Sequence, residues 1–276
     1  MNCITLVNSQ FNPDHSSCST KKPKGLFYYD IKKNPDTIAT VYCDHAIKSV
    51  SDINGTNYAW ILESPGILGE DFIKYVKANS RYLSFCFKKV FTCIQELVGI
   101  QPNFVYCPSG SNLPWINEQD YKIYDKTKVC SMFCSPKGWT EGHRTRLKIA
   151  EYYKDKLDLY GGVFGSSRLG EGIHPNKLPG LAPYMFSLVV ENCVYDKYYT
   201  EKITDCFATG TIPVYLGTRK ITEDFNGDGI IFLDEKFSIS DLTLERYMSK
   251  IDAIRDNFER VKNLEMADDV LYKMIV

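Results

Sequence analysis

The residues best suited to chemistry fall in one stretch, from Tyr184 to Gly217: YMFSLVVENCVYDKYYTEKITDCFATGTIPVYLG. Tyr184 to Val190 is a continuous apolar run that reads as a buried strand. It ends in the polar pair Glu191-Asn192. After a short loop a helix is expected to start near Tyr198, carrying Thr200, Glu201 and Lys202 in its first turn and ending at Gly210. A helix start offers backbone N–H groups and a partial positive charge, and Lys202 adds a full one, so a diphosphate is the natural occupant. Glu201 would repel phosphate; its carboxylate suits the paired hydroxyls of a ribose or a sugar. Each piece also has a purely structural reading. Tyr199, Ile203 and Cys206 lie at i, i+4 and i+7 and face a core, Glu201 complements the helix dipole, and Lys202 is solvated.

Three motifs stand in order here: Phe186-x-Leu188-x-x-Glu191-Asn192, then Tyr198-x-Thr200-Glu201-Lys202, then Gly210-Thr211-Ile212-Pro213-Val214-x-x-Gly217, with Asp224-Phe225-Asn226 beyond. In this order the segment resembles the α-1,3-fucosyltransferase family (glycosyltransferase family 10). Upstream the resemblance reaches Arg144, and it covers roughly residues 128 to 240. Val190 stands where the family usually has Phe or Tyr before the Glu. The resemblance implies a two-domain GT-B fold and transfer of fucose from GDP-fucose to a glycan hydroxyl, with inversion and without a metal or other cofactor. It implies that Arg144 and Lys202 hold the donor diphosphate, and that Glu191, Asn192, Tyr198, Thr200 and Glu201 meet its nucleoside or sugar. Arginine offers a bidentate fork to phosphate oxygens and lysine a point charge. Arg146 rivals Arg144. Two apart on a helix, they face different ways, and position in the motif favours Arg144. The same fold carrying another deoxy-sugar on GDP, UDP or dTDP, and an inactive nucleotide-binding relative, are the competing readings.

Inverting transfer needs a base for the acceptor's proton, expected from the N-terminal domain. Glu63 follows the apolar run Tyr58 to Leu62 and precedes Ser64-Pro65, at the carboxyl end of an expected strand, and the family places a Glu near a similar turn. Glu70 is the fallback, though it reads as a first-turn helix acid. Asp234-Glu235 and Asp268-Asp269 are only adjacent acids, so no Asp-x-Asp pair offers a divalent cation a seat; Asn226-x-Asp228 comes nearest. Asp224-x-Asn226-x-Asp228-Gly229, with Glu235 beyond, fits a calcium-loop pattern, but Ile230 to Leu233 reads as a buried strand where that loop needs a helix. Gly161-Gly162-x-x-Gly165 reads as a tight turn near the donor, and His143 as a structural histidine beside Arg144.

The elements that must position these residues alternate. Strands are expected at residues 4–7, 38–42, 58–62 and 103–107, with a helix over 70–79. Beyond a polar boundary at 108–126 come strands at 128–134, 158–160, 184–190, 212–216 and 230–233. Helices are expected at 140–156, with Thr140 as N-cap, at 197–209 and at 242–261. The alternation predicts an α/β protein of two doubly wound, Rossmann-like domains facing a cleft. Residues 1–125 form the acceptor side, 126–262 the nucleotide-sugar side, and 263–276 a helical tail.

The 276 residues carry a net charge of −1, 44% hydrophobic and 24% charged residues. That balance offers no basic field for nucleic acid or an anionic membrane. No apolar run approaches the ~20 residues of a membrane span, and no signal peptide is read at Met1 to Gln10. Ten cysteines contain no Cys-x-x-Cys pair. Scattered among apolar residues, they read as buried free thiols, and the expected location is cytoplasmic.

Overall fold

The computed structural model describes residues 2–7, 21–28, 37–51, 53–163 and 177–276. The chain divides into two compact units, each built on a wholly parallel sheet. The first contains Met1–Asn112, Tyr195–Tyr198 and Glu265–Val276; the second contains Leu113–Val194 and Tyr199–Leu264.

In the first unit six strands, β1 (Cys3–Val7), β2 (Leu26–Tyr28), β3 (Ala39–Cys43), β4 (Asn57–Ile61), β5 (Val90–Thr92) and β6 (Phe104–Tyr106), lie in the order β2-β1-β3-β4-β5-β6. Helices α1 (Pro65–Leu68), α2 (Glu70–Ala78) and α3 (Ser80–Cys86) join β4 to β5. Parallel neighbours need such crossovers, and sheets covered on both faces are built from apolar strands. Here β4, NYAWI, is buried at every position. The C-terminal helix α8 (Ala267–Ile275) belongs to this unit rather than forming a separate tail. Its Ala267 and Leu271 enter a core with Ile4, Val41, Trp60 and Phe91, and the Gly25 amide donates to Asp269 at 2.8 Å. The short strand β5 and helix α3, absent from the expectations above, flank a loop that the chain spacing alone does not mark.

In the second unit β7 (Lys128–Phe133), β8 (Asp158–Tyr160), β9 (Tyr184–Val190), β10 (Ile212–Leu216) and β11 (Ile231–Phe232) run in the order β11-β10-β9-β7-β8. Helices α4 (Glu141–Tyr153), α5 (Glu201–Thr209), α6 (Leu244–Met248) and α7 (Ile251–Lys262) complete it. Central strand β9 is buried throughout, its Phe186, Leu188 and Val190 in one core and Val189 in another with Tyr199, Ile203 and Cys206. The helix expected over 242–261 is two helices. Thr243 caps α6, and the chain breaks at Ser249-Lys250, where serine competes poorly for a helix interior. The helix expected from residue 197 begins at Glu201, because Thr200 takes the N-cap. Its end is as expected: Gly210 adopts a φ of 69°, the left-handed conformation that closes a helix at least cost in glycine. The calcium-loop pattern is accounted for otherwise. Ile231 pairs with Val214 in the sheet, and Asn226 is bonded to Asp256 and Asn257 of α7. Among the described residues, no helix is long and apolar enough to cross a membrane.

Candidate active site

In the second sheet β8 and β9 flank β7 on opposite sides, so the order reverses there. In open parallel sheets ligands bind beyond the carboxyl ends of the strands at such a switch point. That corner holds Glu191 and Asn192 after β9, with the start of α4 against them. Thr140 caps α4. Its Oγ1 accepts the His143 amide at 3.0 Å, while the Thr140 amide donates to His143 Nδ1 at 3.3 Å. With Nδ1 accepting, neutral His143 carries its proton on Nε2. Burial, then the charges of Arg146, Lys202 and Lys137, push the His143 imidazolium down to a pKa of about 4. The histidine is thus a neutral structural cap that registers a concentration of positive charge around it.

Gly142 makes the close approach possible. Its amide donates to Asn192 O at 3.2 Å, and a Cβ there would lie 2.1 Å from Glu191 O and 2.5 Å from Asn192 O. Helix propensity alone favours Gly142→Ala by roughly 1 kcal/mol. The two carbonyls are backbone and cannot swing aside, so the variant is expected to lose about 1–3 kcal/mol instead. Denaturant unfolding reads the sign; a stabilised variant would show that α4 and β9 are not in contact at this position.

The two arginines part as their spacing requires. Arg146 is buried and donates to Val190 O at 2.9 Å and Asn192 Oδ1 at 3.2 Å, tying α4 to the end of β9. Arg144 lies on the exposed side, its guanidinium on the carbonyls of Gly138 and Trp139 at 3.3 and 3.2 Å. Arg144 is therefore the arginine of the pair that faces solvent.

The start of α5 is more self-contained than expected. Glu191, 1% exposed, accepts from the Thr200 amide at 3.0 Å and from Thr200 Oγ1 at 2.8 Å. A carboxylate of the protein thus occupies the position the helix dipole offers to an anion. Lys202 Nζ donates to Thr200 Oγ1 at 2.9 Å and lies 3.5 Å from Glu191 and 3.4 Å from Glu201. Its side chain stays 21% exposed. Glu201, expected to hold hydroxyls, is buried and paired with Lys177 at 3.2 Å as well. Burial opposes its charge, but Lys177 and Lys202 outweigh burial and hold the carboxyl down at about 2. Tyr198 is buried, in the segment that groups with the first unit. The positive charge that reaches His143 at this corner resides on Arg146, Lys202 and Lys137, with Arg144 exposed on the same helix.

One participant was missed from sequence. Lys177 bridges Glu201 and Asp205 (2.7 Å), with its ammonium 4.5 Å from the Trp115 ring; Asp205 also accepts the amides of Trp115 (2.7 Å) and Ile116 (3.1 Å). Burial works against the Lys177 charge, yet Asp205 and Glu201 raise its pKa above the ordinary lysine value. Residues so far apart in sequence share no local pattern, so only the i, i+4 spacing of Glu201 and Asp205 on a buried helix hinted at a cation between them. Gly161 and Gly162 both take positive φ, forming the expected tight turn after β8; Gly165, His15 and His174 lie outside the described residues.

In the first unit Glu63 stands where expected, just past β4, half-buried, with Oε2 accepting the Ser64 amide at 3.3 Å. Glu70, the fallback, is exposed on α2 beside Lys74. Asp44, directly after β3, was not singled out from sequence. It is buried, and its Oδ1 accepts the amides of Leu62 at 3.0 Å and Glu63 at 3.4 Å. Burial, then the charge of Glu63, raise its pKa to about 7. The folded protein therefore holds this proton to higher pH than the unfolded chain does. Stability from Asp44 is full below about 4 and is lost as pH rises to about 7. Asp44→Asn is expected to be the more stable chain above pH 7, by on the order of 2 kcal/mol, with the gap closing toward pH 4. Thermal unfolding of both chains at the two ends of this window tests it; a gap that does not change with pH would contradict the assignment. Among the described residues no three His, Cys, Asp or Glu side chains converge as a metal site.

Comparison with known proteins places the fold and the family. Two crystal structures of an α1,3-fucosyltransferase, one of them with GDP, superpose on 99% of this chain and 90% of their own, each with a TM-score of 0.56. At 14% and 16% identity that likeness is one of fold, and the fold is GT-B. Residues 123–262, half the chain, match the family described as "Glycosyltransferase family 10 (fucosyltransferase) C-term", and the chain belongs to that family. The 4-galactosyl-N-acetylglucosaminide 3-alpha-L-fucosyltransferase 9 of Bos taurus is 27% identical over 136 residues, 48% of this chain and 35% of that protein. The alpha-(1,3)-fucosyltransferase FucT of Helicobacter pylori is 39% identical over 66 residues, 24% of this chain and 14% of that protein. The chain is thus matched to about a third, or less, of the length of these relatives.

Proposed function

We propose that this chain is an inverting fucosyltransferase that transfers fucose from GDP-fucose to a glycan hydroxyl without a metal ion. The observation that carries the reading is the positive charge gathered at the switch point of the second sheet: after burial, Arg146, Lys202 and Lys137 all oppose protonation of His143, and Arg144 lies exposed one residue further along the same helix start. A GDP leaving group develops negative charge as its bond to the sugar breaks, and fixed positive charge placed there lowers the barrier. Arg144 and Lys202 contact the diphosphate, filling the place a divalent cation takes in metal-dependent transferases. The acceptor oxygen attacks the anomeric carbon from the face opposite the diphosphate, which inverts that carbon, and Glu63 receives the acceptor's proton. Membership of a fucosyltransferase family supports the sugar, and a GDP-bound structural neighbour supports the base. The acceptor in the relatives' name, a 4-galactosyl-N-acetylglucosaminide, is the first to offer. Nine cysteines among the described residues are free thiols, which supports a reducing, cytoplasmic location.

The test is GDP release from GDP-fucose, with that acceptor and with water alone, and NMR assignment of the product's anomeric configuration. Release of GDP with an inverted product in the presence of EDTA is the expected result. A retained configuration, or turnover only with an added divalent ion, would overturn the mechanism. Turnover of UDP- or dTDP-sugars alone would replace the donor.

A further inference from the structure

Asp44 takes no part in sugar or proton transfer, yet it is an acid held almost wholly out of solvent. It follows β3 directly, while Glu63 lies just past β4, and β3 and β4 are parallel neighbours with Cys43 opposite Trp60. Both carboxyl groups thus sit at the same edge of the first sheet. Asp44 is 1% exposed and has a φ of +47°, in the left-handed region that favours glycine. Backbone held in that region persists only where the surroundings fix it, and it marks functional sites more often than chance. The conformation turns the side chain back over the end of β4, where Oδ1 accepts the amides of Leu62 and of Glu63 itself. Its other oxygen, Oδ2, is buried and meets no hydrogen-bond partner among the described residues. The same turn is pinned from the other side, since Gly110 N and Cys93 Sγ both donate to Leu62 O, at 3.2 and 3.7 Å.

We propose that Asp44 is the positioning residue of the base, fixing the turn that carries Glu63 through Oδ1 and setting the strength of Glu63 through the charge on its own carboxyl group. This inference rests on the reading of Glu63 as the base. Asp44 never touches the substrate, and the proton of the acceptor still passes to Glu63. What Asp44 changes is the charge beside that base. Ionised Asp44 makes Glu63 a stronger proton acceptor than neutral Asp44 does, because like charges oppose each other and protonation of Glu63 relieves them. The other titratable groups here are Cys43 at the end of β3 and Cys93 beyond β5, both kept as neutral thiols chiefly by burial, and Asp268 on α8, whose charge acts on Cys43 and Cys107. The Asp44 carboxyl titrates near neutrality in this setting.

Two replacements separate positioning from charge. Asp44→Asn keeps an oxygen for the amides of Leu62 and Glu63 but cannot ionise; Asp44→Ala removes both. In the full wild-type chain kcat for GDP release is expected to rise roughly 3- to 10-fold as pH increases through 7, following the base strength of Glu63. Asp44→Asn is expected to lose that rise. Asp44→Ala is expected to lower kcat by about 10-fold or more with little change in KM for GDP-fucose, the signature of a displaced base. If Asp44→Ala does not fold, Asp44→Asn carries the test alone. Carboxyl 13C NMR needs no turnover. One side-chain carboxyl should titrate near pH 7 in the wild type, vanish in Asp44→Asn and move to lower pH in Glu63→Gln. Persistence of the pH rise in Asp44→Asn, or a carboxyl near pH 7 unmoved by Glu63→Gln, overturns the inference while Glu63 stands as the base. Full activity of Glu63→Gln instead removes the base reading itself.

Discussion

Glu63→Gln is expected to lower transfer by roughly 10²- to 10⁴-fold, the range a positioned base contributes. The substitution keeps the size of the side chain and an oxygen able to accept the Ser64 amide that Glu63 Oε2 accepts now at 3.3 Å. The backbone of the turn is held independently by Asp44 Oδ1, at 3.0 and 3.4 Å. The variant should therefore fold and bind GDP as the wild type does, because Arg144 and Lys202 belong to the second unit. The loss should fall on kcat with KM for the donor nearly unchanged. A variant that turns over at the wild-type rate would mean that the proton leaves by another route, and Glu70 would be tested next.

Lys202→Ala is the second large effect, expected to cost at least ~100-fold in rate, in line with removing one contact to charge that develops in the transition state. Its ammonium stands among Thr200, Glu191 and Glu201, the last two of them buried. Truncation leaves Glu191 with its Thr200 donors and Glu201 with Lys177, so some stability is lost too, about 1–3 kcal/mol for the weakened buried groups. Rates measured well below the variant's melting temperature separate the two consequences. GDP should also bind more weakly. A folded Lys202→Ala chain with near-normal turnover would remove this lysine from the diphosphate site and leave Arg144 alone there.

What the sequence made legible follows the range of its patterns. The strand from Tyr184 to Val190, the N-cap at Thr140 and the helix end at Gly210 rest on local rules, and all three stand where expected. The core positions Tyr199, Ile203 and Cys206 follow from helical spacing. Orientation was harder. Spacing required Arg144 and Arg146 to point apart, but only the bonds of Arg146 to Val190 and Asn192 settle which of them turns inward. Glu201 looked like an open carboxylate because Lys177, which neutralises it, is remote in the chain. Asp44 was invisible for the same reason. Nothing local in Tyr42-Cys43-Asp44-His45 marks an acid that folds back over Glu63; parallel pairing of β3 and β4 brings the two together. Single-residue motifs thus reported the residues that act alone, whereas the partners that fix them depend on chain topology.

The most direct test of a metal-independent GDP-sugar site is thermal unfolding with GDP, UDP, dTDP or CMP, each with and without EDTA. A nucleotide at ~100 times its dissociation constant stabilises by roughly 2.7 kcal/mol. For a chain of this size that is a rise of several degrees, at roughly 2–4 °C per kcal/mol. A rise with GDP alone, unchanged by EDTA and abolished in Lys202→Ala, is the predicted result; a rise only with UDP or dTDP, or one that EDTA removes, would contradict it.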